Sequence, residues 1–186
     1  MVVVSGSNAQ QVADQLAQAL DWSHVRLEAR RFPDSEGYIR IPEDGIEAIR
    51  SEPVVVVSNT FPDAGIVETM LILKAVSDVR KGSMENLRGI EPQQMEDIGP
   101  GVYLAVPYFG YSRQDKRFEP GEVISARAIA DMLASQCDGL TVLDLHAPKV
   151  LENLSIPVAL TSALAEVAAN LQQQSHPDFM LSPDTG

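Results

Sequence analysis

The sequence is poor in several things, and each shortage excludes something. It has a single cysteine, Cys137, so no internal disulfide can form, which fits a reducing, cytoplasmic compartment. No segment approaches the roughly 20 consecutive apolar residues a membrane helix needs. No basic stretch followed by a long apolar one opens the chain, so neither a membrane partner nor a signal peptide is expected. Positive charge is scarce: 14 Lys and Arg stand against 26 Asp and Glu, a net charge of −12. A nucleic-acid surface needs clustered cations, so no nucleic-acid partner is expected. The dinucleotide fingerprint Gly-x-Gly-x-x-Gly and the phosphate loop Gly-x-x-x-x-Gly-Lys are both missing. What remains is an ordinary globular composition, 45% hydrophobic over 186 residues. That length suits one domain, or one and part of a second.

Strand and helix patterns alternate along the chain. Val2–Val4, the alternating Val25, Leu27 and Ala29, and Tyr38–Ile41 read as strands, as do Val54–Val57, Val102–Val106 and Leu140–Leu145. Pro157–Leu160 reads as extended, and Phe179–Leu181 as the start of a last strand. Helices are predicted after Asn8, with apolar residues repeating at Val12, Leu16 and Leu20 and Ala13 and Ala17 beside them, and over 63–79, 124–133, 149–154 and 162–173. Lys81 to Gly101 is polar and Gly/Pro-rich and reads as a loop. Repeated strand–helix units predict an α/β fold, a parallel sheet with helices on both faces. In such sheets ligands bind beyond the carboxyl ends of the strands, where the polar motifs of this chain lie.

The longest of these motifs is Pro107-Tyr108-Phe109-Gly110-Tyr111-Ser112-Arg113-Gln114-Asp115-Lys116-Arg117-Phe118-Glu119-Pro120-Gly121-Glu122. On an acidic protein, a polyphosphate ligand needs such a local cluster of cations. Arginine can fork onto phosphate oxygens, the Gln114 amide can hydrogen-bond a base or sugar, and the aromatic rings can stack. The bland alternative is a solvated loop with local ion pairs. In Asp144-Leu145-His146, an extended backbone would turn both polar side chains the same way, toward a metal or phosphate; the alternative is a histidine capping the next helix. Asp184, in Ser182-Pro183-Asp184-Thr185-Gly186, would suit a metal or sit in a plain turn. Arg31-Phe32-Pro33-Asp34-Ser35-Glu36-Gly37 is an acidic turn between two strands, whose carboxylates can accept an exocyclic amine or ribose hydroxyls. His24 and His176 look like isolated surface residues, and Cys137 has no catalytic partner nearby.

These motifs, in this order, resemble the ribose-phosphate diphosphokinases, the PRPP synthetases. The likeness runs through Gly6-Ser7-Asn8-Ala9, Arg31–Ile41, Val54–Asn59 with the Glu68 helix, the long loop, Asp144-Leu145-His146-Ala147-Pro148 and Ser182-Pro183-Asp184. The resemblance implies a phosphoribosyltransferase-like fold of two similar domains, the first complete or nearly so over 1–148 and the second truncated over 149–186. It implies transfer of the diphosphate of ATP to ribose 5-phosphate, with Mg²⁺, giving PRPP and AMP in a homo-oligomer. It assigns Phe32, Asp34 and Glu36 to adenine, Arg113 and Gln114 to ATP, and His146 and Asp184 to Mg²⁺.

The chain departs from the family in three places. Ser35 stands where the family usually has glycine, and the 81–101 link is longer. The family's catalytic loop and its ribose-phosphate loop lie beyond Gly186, so the expectation is a chain that binds nucleotide and lacks the ribose 5-phosphate site. Two alternatives follow: a non-catalytic relative that binds nucleotide or regulates a full-length synthetase, and, further behind, a phosphoribosyltransferase that consumes PRPP.

Overall fold

Val2–Ser5 (β1) is buried along its whole length, which only the interior of a sheet covered on both faces allows. In the computed structural model, which describes residues 1–82 and 99–174, β1 lies between Ser23–Arg26 (β2) and Val54–Val57 (β5). Val102–Val106 (β6), Gly139–Leu143 (β7) and Val158–Thr161 (β8) continue the sheet, giving the order β2-β1-β5-β6-β7-β8. All five pairings are parallel, so every strand delivers its carboxyl end to the same rim. A separate antiparallel hairpin, Glu28–Arg31 (β3) with Gly37–Arg40 (β4), stands apart from it.

The helix Gln10–Leu20 (α1) covers one face. Its Ala9, Ala13 and Ala17 side meets Val3 and Val57, while Val12 and Leu20 are exposed. Of the expected apolar positions, Ala13 and Ala17 are buried and Leu16 packs at their margin, and the alanines let the helix backbone approach the strands closely. On the other face lie Glu43–Ser51 (α2), Asp63–Arg80 (α3) and Ser125–Ala134 (α4). Ile49, Ile72, Leu73, Val76, Ala130 and Leu133 pack there on Val2, Val4, Val56, Leu104 and Val142. Burying that much aliphatic surface, at about 25 cal/mol per Å², is the main force holding the fold. Leu164–Gln174 (α5) follows β8 and lies largely exposed.

Three sequence expectations change. The strand expected over Val25–Ala29 is two strands, because the buried Leu27 is the pivot where the chain leaves the sheet for the hairpin. The helix α2 was not expected at all. The helix expected over 149–154 is a single 3-10 turn, Pro148–Leu151, whose Val150 and Leu151 enter the core. The sheet also runs on past residue 148, since β8 pairs with β7 from Leu140↔Val158 to Leu143↔Thr161. Most of the 81–101 loop, the strand expected at 179–181, His176 and Asp184 lie outside the described residues.

Arg80 ends α3 as a buried cation. Its guanidinium donates to the carbonyls of Ile49, Glu52 and Pro100. It thereby ties α3 to the end of α2 and to the segment that enters β6. Nothing in the local pattern of the sequence marks it as a core residue.

Candidate functional site

The rim formed by the carboxyl ends of β1, β5 and β6 is laced together by short polar side chains. Ser7 donates its backbone N–H and its hydroxyl to Glu68 of α3, both at 2.6 Å, and the Asn8 N–H reaches the same carboxylate at 3.3 Å. Asn8 and Asn59 clasp each other, and the Asn8 amide oxygen also accepts from the Ser58 hydroxyl at 3.1 Å. Asn59 then accepts the Tyr108 N–H at 3.0 Å, and the Thr60 hydroxyl accepts the Gly110 N–H at 2.7 Å. Close approach explains two glycines here: a Cβ on Gly6 would overlap the Glu68 carboxylate, and one on Gly110 the Thr60 carbonyl. The end of β1 thus fixes the end of β5, which fixes the start of the long loop after β6.

Within that loop, the backbone of Gln114 is held at both ends. Its N–H donates to the Tyr111 carbonyl at 3.2 Å, and its carbonyl accepts the Ala126 N–H at the start of α4, also at 3.2 Å. Glu122 organises the return of the loop. Its Oε2 accepts the N–H groups of Phe118 at 2.6 Å and Glu119 at 3.2 Å. Those backbone donors favour the ionised form and hold the Glu122 carboxyl below its ordinary range. Arg117 donates to the Glu122 carbonyl at 2.8 Å, and Lys116 lies 5.1 Å from the centre of the Phe118 ring. Arg113 is exposed and has no partner among the described residues. A cation held out on a braced loop at the rim of a parallel sheet can meet an anionic ligand without first breaking an ion pair.

Phe32, Asp34 and Glu36 form the exposed tip of the β3–β4 hairpin. The Phe32 ring meets Tyr38 edge-on at 5.7 Å, with the Arg30 guanidinium over both rings. The Asp34 carboxylate accepts the Glu36 N–H at 3.1 Å, and Ser35 sits at φ +75°. The turn at Ser35 thus keeps a backbone conformation that favours glycine, although the residue is serine. Among the described residues, no hydrogen bond, ion pair or ring contact joins this tip to Arg113 or Gln114.

His146 is exposed and has no partner among the described residues. The expectation that Asp144 faces the same way as His146 does not hold. β7 ends at Leu143 and Asp144 turns to φ +46°, so strand alternation stops there. The Asp144 carboxylate instead accepts the Ser162 hydroxyl at 2.5 Å and the Ala163 N–H at 3.1 Å, anchoring the entry to α5. Among the described residues, no three His, Cys, Asp or Glu side chains gather closely enough to hold a metal ion.

His24 is not the isolated surface residue expected. It bridges Ser5, at 2.8 Å, and Asp14, at 2.7 Å, and Asp14 also receives Arg26 at 2.6 Å. Ser5 is fully buried, so the chain of side chains pins the edge strand β2 to β1 and exposes no nucleophile. Cys137 is buried as well, and burial pushes its thiol up to about 11, which leaves it protonated and unreactive near neutral pH.

Residues 1–136 match the family described as the N-terminal domain of ribose phosphate pyrophosphokinase. The whole chain aligns at 32% identity with the ribose-phosphate pyrophosphokinase of Methanopyrus kandleri, covering 57% of that protein. It aligns at 31% identity with that of Methanothermobacter thermautotrophicus, again over 100% of this chain and 58% of the relative. Among solved structures, it is similar in fold to phosphoribosylpyrophosphate synthetase from Mycobacterium smegmatis, with a TM-score of 0.68 at 22% identity over 92% of this chain and 52% of that one. The chain thus spans a little over half the length of the relatives it matches.

Proposed function

Since the chain belongs to the ribose-phosphate pyrophosphokinase family through the N-terminal domain of those enzymes, we propose that it serves transfer of the diphosphate of ATP to ribose 5-phosphate, giving PRPP and AMP for nucleotide biosynthesis. The observation that carries this reading is the braced loop 107–122, which holds Arg113, without a partner among the described residues, beside Gln114 at the carboxyl rim of the sheet. Arg113 pairs with phosphate oxygens, and Gln114 meets the nucleoside. Phe32 stacks on the base, while Asp34 and Glu36 accept hydrogen bonds from it. Among the described residues no hydrogen bond, ion pair or ring contact joins the exposed hairpin tip to the Arg113 loop, which supports a reading in which the tip serves the nucleotide held by a second copy in a homo-oligomer. This is a cytoplasmic activity.

The chemistry asks the protein for positioning and charge stabilisation rather than covalent catalysis. His146 on its own is no Mg²⁺ site, because Mg²⁺ prefers oxygen ligands and retains water. The ion is best treated as part of an Mg-ATP substrate, with His146 and Asp184 as its protein contacts.

Calorimetric titration of the purified 186-residue chain with Mg-ATP tests the reading. Saturable binding that Arg113→Ala weakens roughly tenfold is expected, the usual worth of one charge-assisted contact. Equal binding by the variant would remove the nucleotide role from this loop. Release of AMP when ribose 5-phosphate is added separates the enzyme from the non-catalytic relative, which binds the nucleotide and leaves it intact.

A further inference from the structure

The side chain of Gln114 has one end already spoken for. Its Nε2 donates to the Lys116 carbonyl at 3.2 Å and lies 3.5 Å from Glu122 Oε2, at the long edge of hydrogen-bond range. Both neighbours are acceptors only: a carbonyl oxygen has no proton, and an ionised carboxylate has none either. The amide must therefore turn its NH₂ inward, whatever orientation an isolated glutamine would prefer. Its backbone N–H and C=O are engaged too, with Tyr111 and Ala126. The amide oxygen is what Gln114 has left to offer a ligand, and an amide oxygen accepts hydrogen bonds and cannot donate them.

We propose that Glu122 is a positioning residue that locks Gln114 with its carbonyl oxygen toward the ligand, so that the site selects a nucleotide presenting an N–H or O–H donor there. The inference rests on the nucleotide-binding reading of the loop. Glu122 suits the task because the same Oε2 is fixed by the Phe118 and Glu119 N–H groups, which stop it from swinging away. Two parts of a nucleoside triphosphate can supply the donor, the exocyclic 6-amine of the purine or a ribose hydroxyl. Both satisfy the same oxygen. A 6-oxo purine offers a second acceptor in place of the amine, and a deoxyribose offers nothing in place of the hydroxyl; each then leaves the Gln114 oxygen without its partner.

Equilibrium titrations of the chain with Mg-ATP, Mg-ITP and the Mg complexes of 2′-deoxy- and 3′-deoxy-ATP test this, in the parent, Glu122→Ala and Glu122→Gln. The parent is expected to bind Mg-ATP roughly tenfold more tightly than whichever analogue lacks the donor, the usual scale for one unpaired polar group. Loss against Mg-ITP assigns the amine, and loss against one of the deoxy analogues assigns the hydroxyl. In Glu122→Ala that ratio should fall by about threefold, because the Lys116 carbonyl alone then holds the NH₂ inward and the amide flips part of the time. Glu122→Gln keeps an acceptor oxygen for the Phe118 and Glu119 amides and should restore most of the discrimination. Glu122 acting only as a loop brace would weaken all four nucleotides alike and leave the ratio at the parental value, which overturns the proposal. Equal binding of all four by the parent also overturns it while leaving the nucleotide-binding reading intact, whereas no binding of any of them by the parent removes both.

Discussion

Asn8 and Asn59 hold each other through three hydrogen bonds. Asn8 Nδ2 donates to the Asn59 carbonyl at 3.0 Å, Asn8 Oδ1 accepts the Asn59 N–H at 3.1 Å, and Asn59 Nδ2 donates to the Asn8 carbonyl at 2.9 Å. Neither residue can be exchanged for an apolar one without stranding partly buried polar groups of the other. Asn8→Ala is expected to cost about 1–3 kcal/mol. Urea denaturation reads this directly, as a lower midpoint with an unchanged slope. The companion Asn59→Ala should also release the Tyr108 N–H and so reduce Mg-ATP affinity more than Asn8→Ala does at matched stability. Equal affinities would show that the clasp does not reach the loop.

Arg80 is the second point of vulnerability. Arg80→Ala leaves the carbonyls of Ile49, Glu52 and Pro100 without their charged donor inside a packed region, at an expected cost of about 2–4 kcal/mol. Arg80→Lys retains the charge but lacks the planar fork that reaches three acceptors, so it should fall between parent and alanine. A melting temperature for Arg80→Ala within a degree or two of the parent would contradict this account of how α2, α3 and the entry to β6 are joined.

Acid should loosen the 114–122 loop before the core fails. The folded Glu122 carboxyl titrates below its ordinary value of 4.5 because the Phe118 and Glu119 amides, then Gln114, stabilise its charge. A carboxyl lowered on folding contributes stability that is fully present above the unfolded value and is lost as pH falls through the folded one. Two-dimensional ¹H–¹⁵N spectra should therefore show the Phe118 and Glu119 amide resonances moving together, with a midpoint below 4.5. Glu122→Gln should abolish that movement, and its persistence in the variant would assign the titration to another group.

Ser35 offers a gain rather than a loss. An L-residue at φ +75° sits in the left-handed region, which costs roughly 1–2 kcal/mol relative to glycine, part of which glycine returns through its freer unfolded chain. Ser35→Gly should make the β3–β4 hairpin more stable by about 0.5–1 kcal/mol. Slower amide exchange at Arg31, Gly37 and Tyr38 would register it, and unchanged or faster exchange would argue against strain at the tip.

Much of the architecture was legible because it rests on short-range pattern. The four valines of β5 and the alternation of strand and helix leave little but a parallel sheet, and the loop 107–122 stands out because three of the 14 Lys and Arg gather there among aromatic residues. The helix α2 was missed although Pro42 stands at its start, Glu43 and Asp44 fill its first turn, and Ile46 and Ile49 share a face. Nine residues with a glycine in their midst make a faint period, and packing on α3 decides the matter. On α1 the apolar period is legible, but Val12 and Leu20 stay exposed while Ala13 and Ala17 are buried, because small side chains decide how closely a helix approaches a sheet. Asp144 was read from strand alternation that ends one residue earlier. His24 and Arg80 act through partners 10 to 31 residues away, which no local window contains, whereas the Glu122 partners are near in sequence and their pairing depends on how the loop folds back.

Glu68 gives the front of the sheet an electrostatic asymmetry. In many parallel folds the loop after the first strand is a bare cradle of N–H groups that attracts phosphate. Here the protein has already filled that cradle with a carboxylate of its own, bonded to Ser7 and Asn8. The place where an incoming anion would ordinarily settle first is discharged in advance, and a polyanion drifting along this rim is turned away from β1. The fixed negative charge acts as a signpost, and the attraction that remains points to the loop carrying Arg113.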